Sequence, residues 1–177
     1  MVAYCATCHA ETGRSGNAHI PRLDTLTGDY IRQALTAYRE GRRNSGIMAT
    51  AASVVSEEAL MRAADHYAAQ PARPGEAPAP DARQTELLQQ GAILAAQGTR
   101  DVPACAVCHG ADSPTPAPLL DGQPVGYLAA QLKLFREDNR GGGPRAHLMV
   151  DVADAMTDAQ IEAVATYYAL RLPPAEE

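Results

Sequence analysis

The residues with the most distinctive chemistry are four cysteines, which form two pairs that are each followed at once by a histidine. The two copies are Cys5-Ala6-Thr7-Cys8-His9 and Cys105-Ala106-Val107-Cys108-His109. Residues three apart share a face of a helical turn, so both thiols can reach the two vinyl groups on one edge of a porphyrin. The histidine can then give a ring nitrogen to the iron. Cys-x-x-Cys-His is the attachment signature of c-type haem, so the sequence predicts two covalently bound haem c groups.

A second axial ligand is predicted for each iron. A Met thioether in that position raises the reduction potential and suits an iron that alternates between two oxidation states. Met48 and Met149 are the candidates, because each lies well downstream of its motif and at the same distance before a predicted helix cap, Ser56 or Thr157. Both are predicted to lie in the loop that precedes the last helix of their half.

Other side chains compete for the distal position. Met61 and Met156 lie inside or at the edge of predicted helices, where a Met usually serves packing. His147 is two residues from Met149, and it could replace that Met to give a His/His site of lower potential. The sequence leaves these alternatives open.

Two prolines and two tyrosines recur around the motifs. A ligating histidine usually donates its other ring N–H to a carbonyl or carboxylate, and the backbone carbonyls of Pro21 and Pro118 could accept that bond. A rigid loop residue is the alternative interpretation. Tyr30 and Tyr127 could face a haem edge or bond a propionate, and helix packing would explain them as well.

Interpretations of the cysteines that do not involve haem have less support from the sequence. A zinc site would combine two Cys pairs, yet these pairs lie about a hundred residues apart in separate repeats. A thioredoxin-type redox pair needs a βαβ setting, and the pattern indicates no β-sheet.

The elements around the motifs form an internal repeat of mainly α-helical halves. Apolar residues at spacings of three and four indicate the helices, and Ser56 caps a further one. The predicted helices cover residues 29–40, 85–96, 127–137 and 157–170. The domain boundaries are predicted at 1–70 for the first domain, 71–83 for a Pro- and Ala-rich linker and 84–177 for the second. Only the second half has a helix before its motif, so the first domain is expected to lack its N-terminal helix.

Composition and charge narrow the functional classes. The chain has no Trp and one Phe, so a buried haem would supply apolar mass that the side chains lack. The net charge of −6 argues against nucleic acid as a partner and allows pairing with basic proteins. The sequence has no run of about 18 apolar residues and therefore predicts no membrane span.

Haem attachment of this type belongs to a compartment outside the cytoplasm, and no export signal precedes Cys5. We expect that the signal was removed or that the sequence starts late.

On these residues the chain resembles the tandem dihaem class I cytochromes c of bacterial periplasms. The resemblance rests on residues 5–9 with Met48 and on residues 102–110 with Met149, and it covers nearly the whole chain. It implies two class I cytochrome c-like domains in tandem, each wrapped around a covalently attached haem. It also implies that the histidines of the motifs, His9 and His109, are the proximal ligands and the two methionines the distal ones.

The resemblance also implies a function without substrate chemistry. Such proteins pass single electrons between a respiratory donor and an acceptor such as a terminal oxidase. The implied partners are redox proteins, namely a donor complex or dehydrogenase and a terminal oxidase, and association with a membrane would go through them. The alternatives are a cytochrome subunit of a periplasmic dehydrogenase and a dihaem peroxidase. We expect the first haem to be the more exposed, because its domain is the shorter one.

Overall fold

The structure is a computed structural model that describes residues 2–72, 79–110, 112–143 and 145–171. Within these ranges the chain is helical and has no strand; the extended pairing there is an isolated antiparallel bridge between Arg43 and Arg140. None of these helices is long and apolar enough to cross a membrane. The predicted mainly α fold is therefore confirmed. The helices are α1 (Val2–His9), α2 (Gly28–Arg39), α3 (Gly46–Val54), α4 (Glu57–Ala68), α5 (Ala82–Gln97), α6 (Ala106–His109), α7 (Val125–Arg136), α8 (Ala146–Asp154) and α9 (Asp158–Leu170).

Local capping chemistry sets where the long helices begin. Thr157 Oγ1 accepts a hydrogen bond from the Gln160 backbone N–H at 3.2 Å, and the Gln160 side chain bonds back, which forms a capping box for α9. Asp81 does the same for α5. Helix α5 consequently begins at Ala82, inside the predicted linker 71–83, of which residues 73–78 lie outside the described part of the chain.

The prediction that Met48 and Met149 lie in loops is wrong, because both lie on short helices. Met48 is on α3 and Met149 on α8, each of nine residues. The Ser45 side chain caps α3 by accepting a hydrogen bond from the Met48 backbone N–H at 3.3 Å. The Gly, Thr and Ser residues of α3 have low helix propensity, and nine residues are too few for a periodic apolar pattern to stand out.

Each half packs around its own apolar core. In the second half α5 lies directly against α9, and a Cβ at Gly91 would come within 2.3 Å of the Ala163 carbonyl oxygen. Glycine is therefore required for this close approach of the two backbones. The larger buried residues of the first core are Leu26, Ile31, Leu35, Tyr38, Leu60 and Tyr67. Those of the second core are Leu94, Val102, Leu128, Met156, Ile161, Val164 and Tyr168.

The two halves contact each other through buried polar groups. Gln123, which is 2% exposed, directs its side-chain amide to the loop before α2 in the first half. Its Oε1 accepts from the Arg22 backbone N–H at 3.0 Å, and its Nε2 donates to the Arg22 carbonyl at 2.9 Å and to Thr25 Oγ1 at 3.0 Å. The Tyr127 backbone N–H donates to the Ala18 carbonyl at 3.0 Å. These bonds fix one half against the other.

Candidate haem sites

The second motif borders a mostly apolar cavity of about 420 Å³. Helix α6 brings His109 to this cavity, and α8 brings Met149 to it. Apolar side chains from α7 and α9, such as Leu128 and Val164, form much of the remaining wall. The structure thus brings together every residue that the sequence predicts for the second site: Cys105, Cys108, His109, Pro118, Tyr127 and Met149.

In each motif the histidine faces the backbone carbonyl of a proline through its Nδ1. His109 Nδ1 lies 2.8 Å from the Pro118 carbonyl oxygen, and His9 Nδ1 lies 3.3 Å from that of Pro21. A carbonyl can only accept, so Nδ1 carries the proton and Nε2 has the lone pair that a metal needs. Burial lowers the pKa of both imidazoles, and the proline carbonyl only partly opposes it. Both rings are therefore held in the neutral form that can bind a metal.

The thiols of each motif differ in exposure. Cys5 and Cys105 are partly buried, whereas Cys8 and Cys108 are exposed, and none of the four forms a disulfide. Burial raises the pKa of the Cys5 and Cys105 thiols, so both stay protonated at neutral pH. All four sulfur atoms are thus free for thioether formation.

In the first half several of the predicted residues lie at or near the core, whereas Cys8 is exposed. Cys5 and Met48 pack against the first core cluster, and His9 is 7% exposed. Tyr30 also contacts this core, but its hydroxyl points across the boundary between the halves. It accepts a hydrogen bond from Arg140 Nη2 at 2.8 Å, and Tyr30 lines the cavity of the second half.

The other candidates for distal ligands have different surroundings. Met61 packs against the first core, and His147 is exposed on α8. Met156 is 5% exposed and belongs to the second core, although it also lines the cavity. Its backbone carbonyl accepts a hydrogen bond from Arg136 Nη2 at 3.0 Å, which ties this residue to the last residue of α7.

A repeated pair of arginines supports the two helices that carry Met48 and Met149. Arg39 Nε donates to the Ala52 carbonyl at 3.1 Å, and Arg136 Nε donates to the Ala153 carbonyl at 3.3 Å. Cations near helix C-termini satisfy carbonyls that have no partner within the helix. These arginines therefore help to position α3 and α8.

Sequence reasoning missed two further arginines, Arg43 and Arg140, which lie where the halves meet. Arg43 Nη2 donates to Tyr127 Oη and to Gln131 Oε1, both at 2.9 Å. The arginines are separated by the same number of residues as Tyr30 and Tyr127. Extending the internal repeat from the tyrosines to the neighbouring loop would have identified them.

The charges around the cavity favour an anionic ligand. Arg43, Arg140 and Arg145 line it, and among the described residues no Asp or Glu does. The Nε atoms of Arg43 and Arg140 are buried and have no hydrogen-bond partner in the part of the chain that the structure describes. Leaving a buried donor unpaired costs about 1–3 kcal/mol, and more for a charged group. Haem, with an apolar ring and two carboxylates, fits both the apolar wall and the unsatisfied Nε donors of the two guanidinium groups.

Ala10 and Gly110, which follow the two motifs, give a stability prediction. Ala10 has a φ of 57°, a left-handed conformation that costs a non-glycine residue about 1–2 kcal/mol. We expect Ala10→Gly to raise the free energy of unfolding of the holoprotein by about 1 kcal/mol, since part of this gain is offset by glycine entropy. Gly110→Ala should lower it, because the new Cβ would lie 2.6 Å from the Ala106 carbonyl oxygen. Denaturant unfolding followed by far-UV circular dichroism measures both, and a destabilised Ala10→Gly variant would contradict the prediction.

Comparisons with known proteins agree with this geometry. The family model described as cytochrome c matches the chain twice, over residues 1–83 and 89–169. The thiosulfate dehydrogenase electron acceptor of Stutzerimonas stutzeri is 36% identical over 180 residues, which cover 93% of this chain and 77% of the relative. The crystal structure of reduced recombinant cytochrome c4 from Pseudomonas stutzeri superposes with a TM-score of 0.83 at 28% identity and covers 96% of this chain and 94% of its own.

A third comparison matches this chain to part of a larger protein. A solved chain of thiosulfate dehydrogenase from Marichromatium purpuratum superposes with a TM-score of 0.80 at 32% identity. The match covers 94% of this chain but only 36% of the solved one. This chain therefore resembles about a third of that larger protein.

Proposed function

The chain belongs to the cytochrome c family and is a dihaem electron-transfer protein, and we propose that it accepts single electrons from a periplasmic dehydrogenase. It then passes them toward a respiratory acceptor such as a terminal oxidase. Each bound haem supplies a one-electron redox couple at its iron. The protein would supply the cysteine thiols for covalent attachment, the His and Met side chains as iron ligands, and a buried apolar environment that sets the potential.

In this proposal the residues of the second site have separate roles. The thiols of Cys105 and Cys108 hold the haem edge, and His109 Nε2 binds the iron. Pro118 fixes the plane and tautomer of that imidazole through its carbonyl. Met149 supplies the distal thioether. In the first half the corresponding residues are Cys5, Cys8, His9, Pro21 and Met48.

The main support for the proposal is that the predicted residues of the second site lie around one cavity. The thiols, the neutral imidazole and the Met149 side chain line the same apolar cavity. Both halves supply a Met at the same register, so we propose that neither iron has an open distal position. This favours an electron carrier over a dihaem peroxidase. We propose a first domain over 1–70 and a second domain that begins with α5 at Ala82 rather than at residue 84, which shortens the predicted linker of 71–83.

The relatives favour a dehydrogenase as the donor. The relative from Stutzerimonas stutzeri is named as the electron acceptor of thiosulfate dehydrogenase, and the solved chain from Marichromatium purpuratum is itself a thiosulfate dehydrogenase. We therefore propose that this chain is the electron-accepting partner of a dehydrogenase that oxidises an inorganic sulfur compound. The periplasm is the proposed compartment, because haem attachment of this type takes place outside the cytoplasm.

Anaerobic mixing tests this function. The oxidised holoprotein is combined with a purified thiosulfate dehydrogenase, and thiosulfate is then added. We expect complete reduction of both haems, seen as the sharp reduced absorption bands, and no reduction when the enzyme or thiosulfate is left out. Absence of reduction with an enzyme that reduces another acceptor would contradict this donor. In a parallel assay, turnover of peroxide at the rate of a dedicated peroxidase would contradict the carrier function.

A further inference from the structure

The boundary between the halves contains two crossed arginine–tyrosine pairs. The Arg43 guanidinium carbon lies 4.7 Å from the ring centroid of Tyr38, in its own half, and its Nη2 donates across the boundary to Tyr127 Oη at 2.9 Å. Arg140 mirrors this arrangement. Its guanidinium stacks on Phe135 and donates across the boundary to Tyr30. Each guanidinium is thereby held rigidly by one aromatic ring and one phenol.

The first half forms part of the wall of the second cavity. Arg43, Leu26, Tyr30, Gln33 and Ala34 all belong to the first half, and all line the cavity that holds the second motif. The second pocket is therefore complete only when the first half is packed against it. Arg43 is the charged member of this group, and it is 4% exposed.

Among the described residues that line the cavity, no carboxylate compensates the charge of Arg43. Within the same part of the chain Arg43 makes no ion pair and its buried Nε has no hydrogen-bond partner, and its bonded neighbours Tyr127 and Gln131 are neutral. The local potential is positive enough to affect Tyr30. Burial by itself would raise the pKa of that phenol, but Arg140 and Arg43 outweigh burial and hold the pKa below its usual value.

We propose that Arg43 is a positioning residue for the haem of the second half: its guanidinium binds a haem carboxylate across the boundary and raises the reduction potential of that haem. This inference rests on the proposed function, because it requires a haem in the second cavity. A fixed, buried positive charge favours the form of the haem that carries the extra electron. The first half thus sets the potential of a redox centre that is covalently attached to the second.

The test compares two adjacent arginines in holoprotein that carries Met48→His. Replacing the Met ligand by His lowers the potential of the first haem, because a Met ligand raises the reduction potential. The high-potential step of the titration then belongs to the second haem. Arg43→Gln removes the buried charge. Arg42→Gln is the matched control, since it removes an equal charge from an exposed side chain that pairs with Glu40 on the surface. Spectroelectrochemical titration measures both steps.

We expect Arg43→Gln to lower the midpoint potential of the high-potential step. The expected change is tenfold in the ratio of oxidised to reduced haem at a fixed applied potential, which corresponds to about 59 mV for one electron. Arg42→Gln should change it much less. Equal shifts in the two variants, or a shift confined to the low-potential step, would overturn the inference. If Arg43→Gln fails to retain both haems, Arg43→Leu, which also removes the charge, replaces it with the same expected result, and an unchanged step would overturn the inference. Arg43→Lys keeps the charge but not the planar fork; it should keep the potential closer to that of the unchanged protein, and a loss as large as that of the uncharged variant would overturn the role of the charge.

These outcomes are separate from failure of the proposed function. A protein with two covalent haems and an unshifted high-potential step refutes only the role of Arg43. A protein that holds no covalent haem, or that a dehydrogenase cannot reduce, refutes the function itself.

Discussion

Replacing both cysteines of the second motif, with Cys105→Ser and Cys108→Ser, should leave the denatured protein with one covalently bound haem instead of two. A serine hydroxyl does not form the thioether bond to a haem vinyl group, so that haem is lost when the fold no longer holds it. The first motif keeps its own thiols and its own haem. Intact mass of the denatured chain, together with its haem absorbance per polypeptide, gives the count directly.

The matched control is the same pair of changes in the first motif, Cys5→Ser and Cys8→Ser. It should also leave one haem, and combining all four changes should leave none. Two covalent haems after either double change would contradict attachment through these thiols.

Met149→His should lower the reduction potential of the second haem strongly and remove its share of the sulfur–iron absorption band. A Met/His iron has a higher potential than a His/His iron, because the thioether favours the reduced state. Redox titration should therefore show one of the two steps moved to low potential, while the other stays in place. Met48→His should lower the potential of the first haem and leave that of the second haem unchanged.

Two conservative variants serve as controls for the distal ligands. Met61 and Met156 pack in the cores of their halves, so Met61→Leu and Met156→Leu should preserve both steps and the full band. Loss of half of the band in either control, with no loss in Met48→His or Met149→His, would show that the wrong methionines have been assigned.

The long helices could be predicted because their sequences contain complete signals. The apolar pattern over 157–170 extends through several turns, and the cap at Thr157 marks its start, so the prediction and α9 nearly coincide. Helices α3 and α8 could not be predicted in the same way. They span only nine residues, and tertiary contacts at their ends, such as that of Arg39, stabilise them.

The candidate site also contains residues that the sequence predicts and residues that it does not. The thiols and His109 are adjacent in sequence, so their spacing alone predicts the chemistry, and Met149 follows from the register of the repeat. The proline carbonyl near His109 Nδ1 was a hypothesis that the sequence could not decide, and the structure places it at hydrogen-bond distance. Arg43 and Arg140 occupy equivalent positions of the repeat, which could have identified them as a pair, but their contacts with each other's half arise only when the two halves pack together.

Stepwise anaerobic reduction of the oxidised holoprotein tests whether the chain is a dihaem carrier in which both irons have a Met ligand. We expect each chain to take up two electrons in two one-electron steps, and each step to remove part of the sulfur–iron absorption band until none is left. Uptake of fewer than two electrons, or an iron that is reduced without any loss of that band, would contradict a dihaem carrier in which both irons have a Met ligand.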